Sequence, residues 1–219
     1  MSDIVVYGVP GSPFLRAVEM GLREKSAAYR LEVIAPGDTK SEAYLKRHPF
    51  GRVPAFEHGD FALYETQAIL RYLDNVFPQP PFVPSDARAA ARMNQIIGIN
   101  DWYFFPKAAA VIVFQRILGP AFRGSTADEA AIAAAAPTAR TCIGELDRLL
   151  GPQPFLAGET LSIADLMLAP QIDFFAQTPE GQSLVAGTRH ERAGPSNFRA
   201  LTPYLLLWLI LQHGPRAPR

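Results

Sequence analysis

The spacing of hydrophobic and polar positions changes along the chain, and each change marks an element. Ile4-Val5-Val6-Tyr7 is an unbroken run of β-branched and aromatic residues, which predicts a short strand buried on both faces. After a turn from Gly8 to Gly11, Ser12-Pro13 reads as an N-cap followed by proline in the first helical position. Phe14, Ala17, Val18 and Gly21 then recur with helical spacing, predicting a helix from about Pro13 to Arg23. Tyr29 to Ile34 alternates as a strand does, Pro36-Gly37-Asp38 ends it, and Ser41 to Arg47 is a short helical piece. Arg52 to Phe56 reads as extended, Glu57-His58-Gly59-Asp60 as a hairpin turn, and Phe61-Ala62-Leu63-Tyr64 as the return strand. Glu65-Thr66 opens a helix with apolar positions at Ile69, Tyr72, Leu73 and Val76, spaced i, i+3, i+4, i+7.

The order β-α-β-α-β-β-α over residues 1–77 is a thioredoxin-like layout. The pattern then breaks at residues 78–84, PQPPFVP, where four prolines in seven residues can neither sustain a helix nor donate to a sheet ladder. This reads as a semi-rigid linker. Everything from 85 to 219 is helical in pattern. Asp86 to about Leu118 is one long helix or two, with a kink expected at Pro106. Ser125 or Thr126 caps the next helix, which Pro137 should interrupt before Ile143, Leu146, Leu149 and Leu150 continue its apolar stripe. Leu161-Ser162-Ile163-Ala164-Asp165-Leu166 predicts a capping box, with Asp165 reaching back to the Ser162 N–H, flanked by a Leu161–Leu166 staple. The fold class expected is α+β with two domains: a thioredoxin-like βαβαββα unit and an all-α helical unit.

Composition narrows the function. Apolar residues make up 48% of 219, enough for a real core, and 21 Lys and Arg balance 21 Asp and Glu without clustering. That argues against nucleic acid or an anionic membrane surface as the main partner. The single cysteine, Cys142, excludes a disulfide framework and fits a reducing compartment. There is no CxxC pair for thioredoxin-type redox chemistry, no sign of a signal peptide in MSDIVVYG, and no apolar run near the roughly 20 residues of a membrane span. A cytoplasmic protein is the expectation.

The stretch from His48 to Leu73 carries the chemistry. A helix N-terminus offers unpaired N–H groups and partial positive charge, and so attracts a carboxylate. Thr66 would be its N-cap, and Glu65 beside it could meet an ammonium, so an α-amino acid zwitterion is matched there. If the Val53-Pro54 bond were cis, the N–H and C=O of Val53 could pair with an extended peptide, although X-Pro bonds are cis only about 5–6% of the time.

This stretch, "PFGRVPAF" with a Gly-Asp turn followed by an acidic residue and Thr at a helix start, resembles the glutathione-binding half of a glutathione transferase. It is most similar to the Ser-type members, the phi- and theta-like classes and their bacterial relatives. The resemblance runs from about Ile4 to Gln177, including the Ser-x-x-Asp box, and fades beyond Pro179. There, Thr188 to Pro195 is polar, and Asn197 to Leu211, with Pro203 and Trp208, lacks the polar positions of an amphipathic helix.

The resemblance implies that Val53, Pro54, Glu65 and Thr66 hold glutathione and that Ser12 is the catalytic hydrogen-bond donor to its thiol. An unperturbed cysteine has a pKa of about 8.5, so the thiol needs help to ionise. Tyr7 is the competing donor, because other classes use a tyrosine near the end of this strand. Arg16 would support the thiolate or sit in a structural ion pair. Lys40 stands where phi-like members often present a histidine to the glycine carboxylate. Phe14, Trp102, Tyr103 and Phe105, with Phe104 and Phe114, are candidates for the wall of a second, apolar substrate site. Phe50 sits where several classes insert an aromatic side chain into a partner subunit, implying a homodimer. The activity implied is attack of the glutathione thiolate on an apolar electrophile, with no metal. A binding module without turnover, or a glutathione-dependent dehalogenase or isomerase, are the alternatives.

Overall fold

The computed structural model describes residues 3–35, 37–186 and 188. The expectations for Asn197 to Leu211 therefore lie outside the described residues. Four strands, β1 (Ile4–Gly8), β2 (Arg30–Val33), β3 (Ala55–His58) and β4 (Phe61–Tyr64), form one sheet in the order β2-β1-β3-β4. β1 pairs parallel with β2 and antiparallel with β3, and β3 pairs antiparallel with β4 across the tight turn. The turn is shorter than predicted, because Glu57 and His58 belong to β3 and only Gly59-Asp60 connects, with Gly59 at φ 61°. β1 is not buried on both faces either: Ile4, Val6 and Gly8 are buried while Val5 and Tyr7 are half-exposed.

Helix α1 (Pro13–Glu24) shows why two layers hold together. Its Leu15, Val18 and Leu22 join Ile4, Val6, Phe56, Ile69 and Leu73 in a core on the sheet, shared with α3 (Thr66–Val76). Its Met20, with Leu70 of α3, instead joins the core of the helical half. The two helices approach closely at Gly21, where a Cβ would come within 2.6 Å of the Leu70 side chain.

The proline-rich stretch is fastened rather than loose. Phe82 is fully buried, and the Asp74 carboxylate accepts from the N–H groups of Phe82 and Val83 at 2.7 and 3.2 Å. Lys25 donates to the same carboxylate at 2.7 Å and to the Pro80 carbonyl at 2.5 Å. Beyond it, α4 (Ala87–Ile99) runs on through a π-helical stretch (Asn100–Ala109), α5 (Ala110–Val113), a second π stretch (Phe114–Leu118) and α6 (Gly119–Arg123). Pro106 lies inside the first π stretch. A proline cannot donate to the i−4 carbonyl, and the widened turn accommodates that loss. By length and composition the run Ala87–Arg123 could cross a membrane. Its Met93, Ile96, Phe104, Ala108 and Ile112 are instead wholly buried in the protein core.

Helix α7 (Glu129–Leu150) departs from expectation twice. Asp128 is its N-cap, accepting from the N–H groups of Ala130 and Ala131 at 3.0 Å each, and neither Ser125 nor Thr126 takes that role. Pro137 sits within the helix and does not interrupt it. The predicted box at the start of α8 (Ile163–Phe175) is present: Asp165 accepts from the N–H and hydroxyl of Ser162 at 2.9 and 2.6 Å, and from the N–H of Leu156 at 2.8 Å. α8 packs on α1, and α9 (Pro179–Ala186) follows.

Candidate active site

The loop from β1 into α1 is the floor of the site. Ser12 is the N-cap of α1, and its Oγ accepts from the N–H of Leu15 at 3.5 Å. That contact uses an acceptor lone pair and leaves the hydroxyl proton available for another partner. Tyr7 lies elsewhere. Its hydroxyl donates to Glu57 Oε2 at 2.7 Å, Glu57 also pairs with Arg47, and the Arg47 guanidinium lies 4.6 Å over the Tyr7 ring. Arg16 is buried and paired with Asp173 of α8 at 2.8 Å, the structural ion pair foreseen for it.

The loops around β3 carry the remaining predicted residues, and none of Lys40, Val53, Pro54, Glu65 and Thr66 lines the cavity between the sheet half and the helical half. Val53-Pro54 is cis, and the sheet ladder begins only at Ala55, so Val53 lies outside it. The loop before it is held by the Tyr44 hydroxyl, which donates to the Arg52 carbonyl at 2.7 Å, and by Gly51. Gly51 has φ 59°, and a Cβ there would sit 2.6 Å from the Thr39 carbonyl oxygen and 2.7 Å from Lys40 Nζ. Lys40 is exposed and donates to the Phe50 carbonyl at 3.2 Å.

The helix start differs from prediction by one residue. Glu65 occupies the N-cap position, with φ 74° and ψ 115°, and Thr66 is the first residue of α3, buried. A positive φ in a residue with a Cβ is costly and persists only where the surroundings impose it, which happens most often at ligand sites. Close by, His48 is 2% exposed, lies 4.8 Å from the Tyr64 ring, and its Nδ1 has no hydrogen-bond partner. Burial pushes its pKa below 6.5, opposed by the charge of Glu65 and reinforced by Arg52 and Lys40. Sequence reasoning had passed over this histidine.

Between the sheet half and the helical half lies a cavity of about 610 Å³. Ser12, Phe14, Arg16 and Thr39 line one side, and Phe105, Ala109, Val113, Phe114, Leu118 and Phe122 line the other. Phe14 and Phe105 meet edge to face at 4.7 Å. Two predicted wall residues are misplaced: Trp102 and Tyr103 are 72% and 52% exposed and point away from this cavity, while Phe104 is core. The cavity lining recurs along the long helix at Phe105, Ala109/Ala110, Val113/Phe114 and Leu118, a step of four to five residues that fits its π-helical stretches and passes over 102 and 103. α8 and the residues after it add Gln171, Phe174 and Gln177, which sequence reasoning had missed. A signal existed for Gln171, which interrupts an otherwise apolar run in a helix buried nearly all round. No group of three or more His, Cys, Asp or Glu is placed to hold a metal among the described residues.

Comparison with known proteins agrees with this fold. The family model described as glutathione S-transferase, N-terminal domain, matches residues 6–81, and that of the C-terminal domain matches 129–210, well past the point where the sequence resemblance fades. Glutathione S-transferase F7 of Arabidopsis thaliana is 30% identical over 183 residues, 82% of this chain and 87% of the relative. Among solved structures, glutathione S-transferase III in its apo form aligns with a TM-score of 0.83 at 26% identity, covering 99% of this chain and 100% of that one. Glutathione transferase F7 from Populus trichocarpa aligns with a TM-score of 0.79 at 25% identity, over 92% and 99% of the two chains.

Proposed function

The chain belongs to the glutathione S-transferase family, and from that premise we propose that it joins the thiolate of glutathione to an apolar electrophile. The observation that carries this reading is Ser12, a capped helix N-terminus with a spare hydroxyl proton, at the floor of a largely apolar cavity. Ser12 donates to the glutathione sulfur, and with the α1 N-terminus it favours thiolate over thiol. The thiolate attacks the electrophilic carbon, a C–S bond forms, and the leaving group departs with the electrons of its bond.

Val53 pairs with the cysteinyl backbone of glutathione, seated against Pro54. Glu65 meets its ammonium, and the N–H groups at Thr66 meet its γ-glutamyl carboxylate. Lys40 offers charge to the glycine carboxylate. Phe14 and Phe105 pack on the electrophile. The protein works in the cytoplasm as a homodimer in which Phe50, 64% exposed in the single chain, enters a recess of about 420 Å³ on its partner, between Tyr103 and Pro137, Thr138 and Thr141.

A ligand that binds only the folded state stabilises it by about 4 kcal/mol at 1,000 times its Kd. Millimolar glutathione is therefore expected to raise the thermal midpoint, and turnover of a chloronitrobenzene electrophile to accompany it. A shift without turnover would favour the binding module. No shift, together with no retention on immobilised glutathione, refutes glutathione binding altogether.

A further inference from the structure

The electrophile cavity is apolar except at a few points, and one of these has no role in the chemistry above. Gln171, on α8, lines the cavity, is 3% exposed, and its Oε1 has no hydrogen-bond partner. Buried polar atoms are nearly always satisfied, so one left open beside an apolar cavity calls for a partner from outside the chain. The ordinary structural uses of a buried glutamine are absent, since its amide closes no cap and bridges no pair of helices among the described residues. Of the neighbouring polar groups, Arg16 is paired with Asp173, and the spare hydroxyl proton of Ser12 is the one assigned above to the glutathione sulfur.

We propose that Gln171 selects electrophiles that carry one hydroxyl or carbonyl group on an otherwise apolar body, by hydrogen-bonding that group inside the cavity. An alcohol suits the amide from either end, since it both donates and accepts. The inference rests on the transferase reading of the same cavity and names its substrate class. A site built to bond a substrate hydroxyl discriminates against the analogue lacking it, because the amide is then left unpaired.

The test uses near-isosteric benzyl chlorides carrying a hydroxymethyl or an ethyl group, each as the meta and para isomers. In every case the thiolate displaces chloride, forming the C–S bond as the C–Cl bond breaks, so the chemistry is held constant. The kcat/KM ratio of hydroxymethyl to ethyl substrate, corrected for the uncatalysed rates, is measured for wild type and for Gln171→Met. The ratio is expected to fall at least tenfold in the variant for one isomer pair, with the loss falling on the hydroxymethyl substrate. An unchanged ratio for both isomer pairs, or an equal loss on both substrates, overturns the proposal while leaving the transferase reading intact. Absence of turnover with these substrates and with the chloronitrobenzene electrophile alike refutes the transferase reading itself. Should Gln171→Met not fold, the wild-type ratio decides. An ethyl substrate favoured as strongly as its greater hydrophobicity predicts means that the amide makes no contact.

Discussion

The two regions proposed to form the site are built on different principles. The β3 side is made of local backbone devices, each set by two or three adjacent residues: the Val53-Pro54 bond, Gly51 at φ 59°, and Glu65 at φ 74° before α3. The apolar cavity is made of side chains from positions far apart in the chain, Phe14 edge to face with Phe105, and Phe122 and Phe174 lining the same space, brought together only by tertiary packing. A wall of backbone geometry presents fixed donors and acceptors, which suits one constant peptide. A wall of apolar side chains excludes water without fixing direction, which suits substrates that vary.

Phe50 is proposed to join the two principles across subunits and carries the largest expected effect. It sits on the loop of the first wall, and the recess proposed to receive it lies on the helical half. Burying a phenylalanine contributes about 1.5–3 kcal/mol, and a two-fold dimer buries two. Phe50→Ala is expected to weaken the dimer by about 3–6 kcal/mol, at least 100-fold in its dissociation constant. Sedimentation at a series of concentrations measures this. An unchanged constant would mean that Phe50 serves only its own loop, where it already lies 6.1 Å from the Tyr64 ring.

Next in size is Ser12, which lines the cavity at the start of α1. A hydrogen bond to a charged partner contributes about 1.5–3 kcal/mol, and each 1.36 kcal/mol is one pKa unit or tenfold in rate. Ser12→Ala is expected to raise the pKa of bound glutathione by about 1–2 units and lower kcat/KM at neutral pH by about 10–100-fold. Glutathione affinity should hardly change, since the first wall is intact, and the rate should partly recover at high pH. The missing cap costs about 1 kcal/mol of stability, so folding is checked first. Tyr7→Phe should leave the pH–rate profile in place, because its hydroxyl is committed to Glu57. The reverse pattern would make Tyr7 the donor and Ser12 a cap alone.

The same contrast explains what could be read from the chain. The sheet half was legible because its elements follow from short-range rules. Ser12-Pro13 starts α1, and Gly59-Asp60 closes the hairpin. Its errors are slips of one or two residues, as with Thr66, which stands one place inside the helix instead of capping it. The cavity wall was read less well. Trp102, Tyr103, Phe104 and Phe105 were all candidates, one or two of them expected to face the cleft. In an α-helix Trp102 would share a face with Phe105 three residues on. This stretch is π-helical, with more residues per turn, and of the four only Phe105 lines the cavity. Nothing in the local pattern announced the π stretches apart from Pro106. Pro137 was read as a break because proline lacks an N–H, yet α7 continues through it with the proline on its exposed side.

The smallest expected effect tests whether the first wall responds to pH. His48 is buried under the loop that carries Phe50 and Gly51, and burial holds its pKa below 6.5. The unfolded chain therefore takes up a proton at His48 before the folded protein does. Stability from this group is fully present above pH 6.5 and is lost as pH falls below it, towards the lowered folded value. Asp101 and Glu24 act in the opposite sense, because burial raises their pKa values and favours the folded state as they protonate. The wild-type curve alone therefore mixes signs, and the informative quantity is the difference between wild type and His48→Gln. That difference is expected to be flat above pH 6.5 and to turn against wild type below it, in thermal midpoints read on the two proteins side by side. Glutathione should steepen the turn. The charge of Glu65 is what favours the protonated histidine, and an ammonium seated on Glu65 would cancel it. Parallel curves for the two proteins would show that His48 takes up its proton in the folded state as readily as in the unfolded one. A turn that glutathione leaves unchanged would mean that its ammonium does not sit on Glu65.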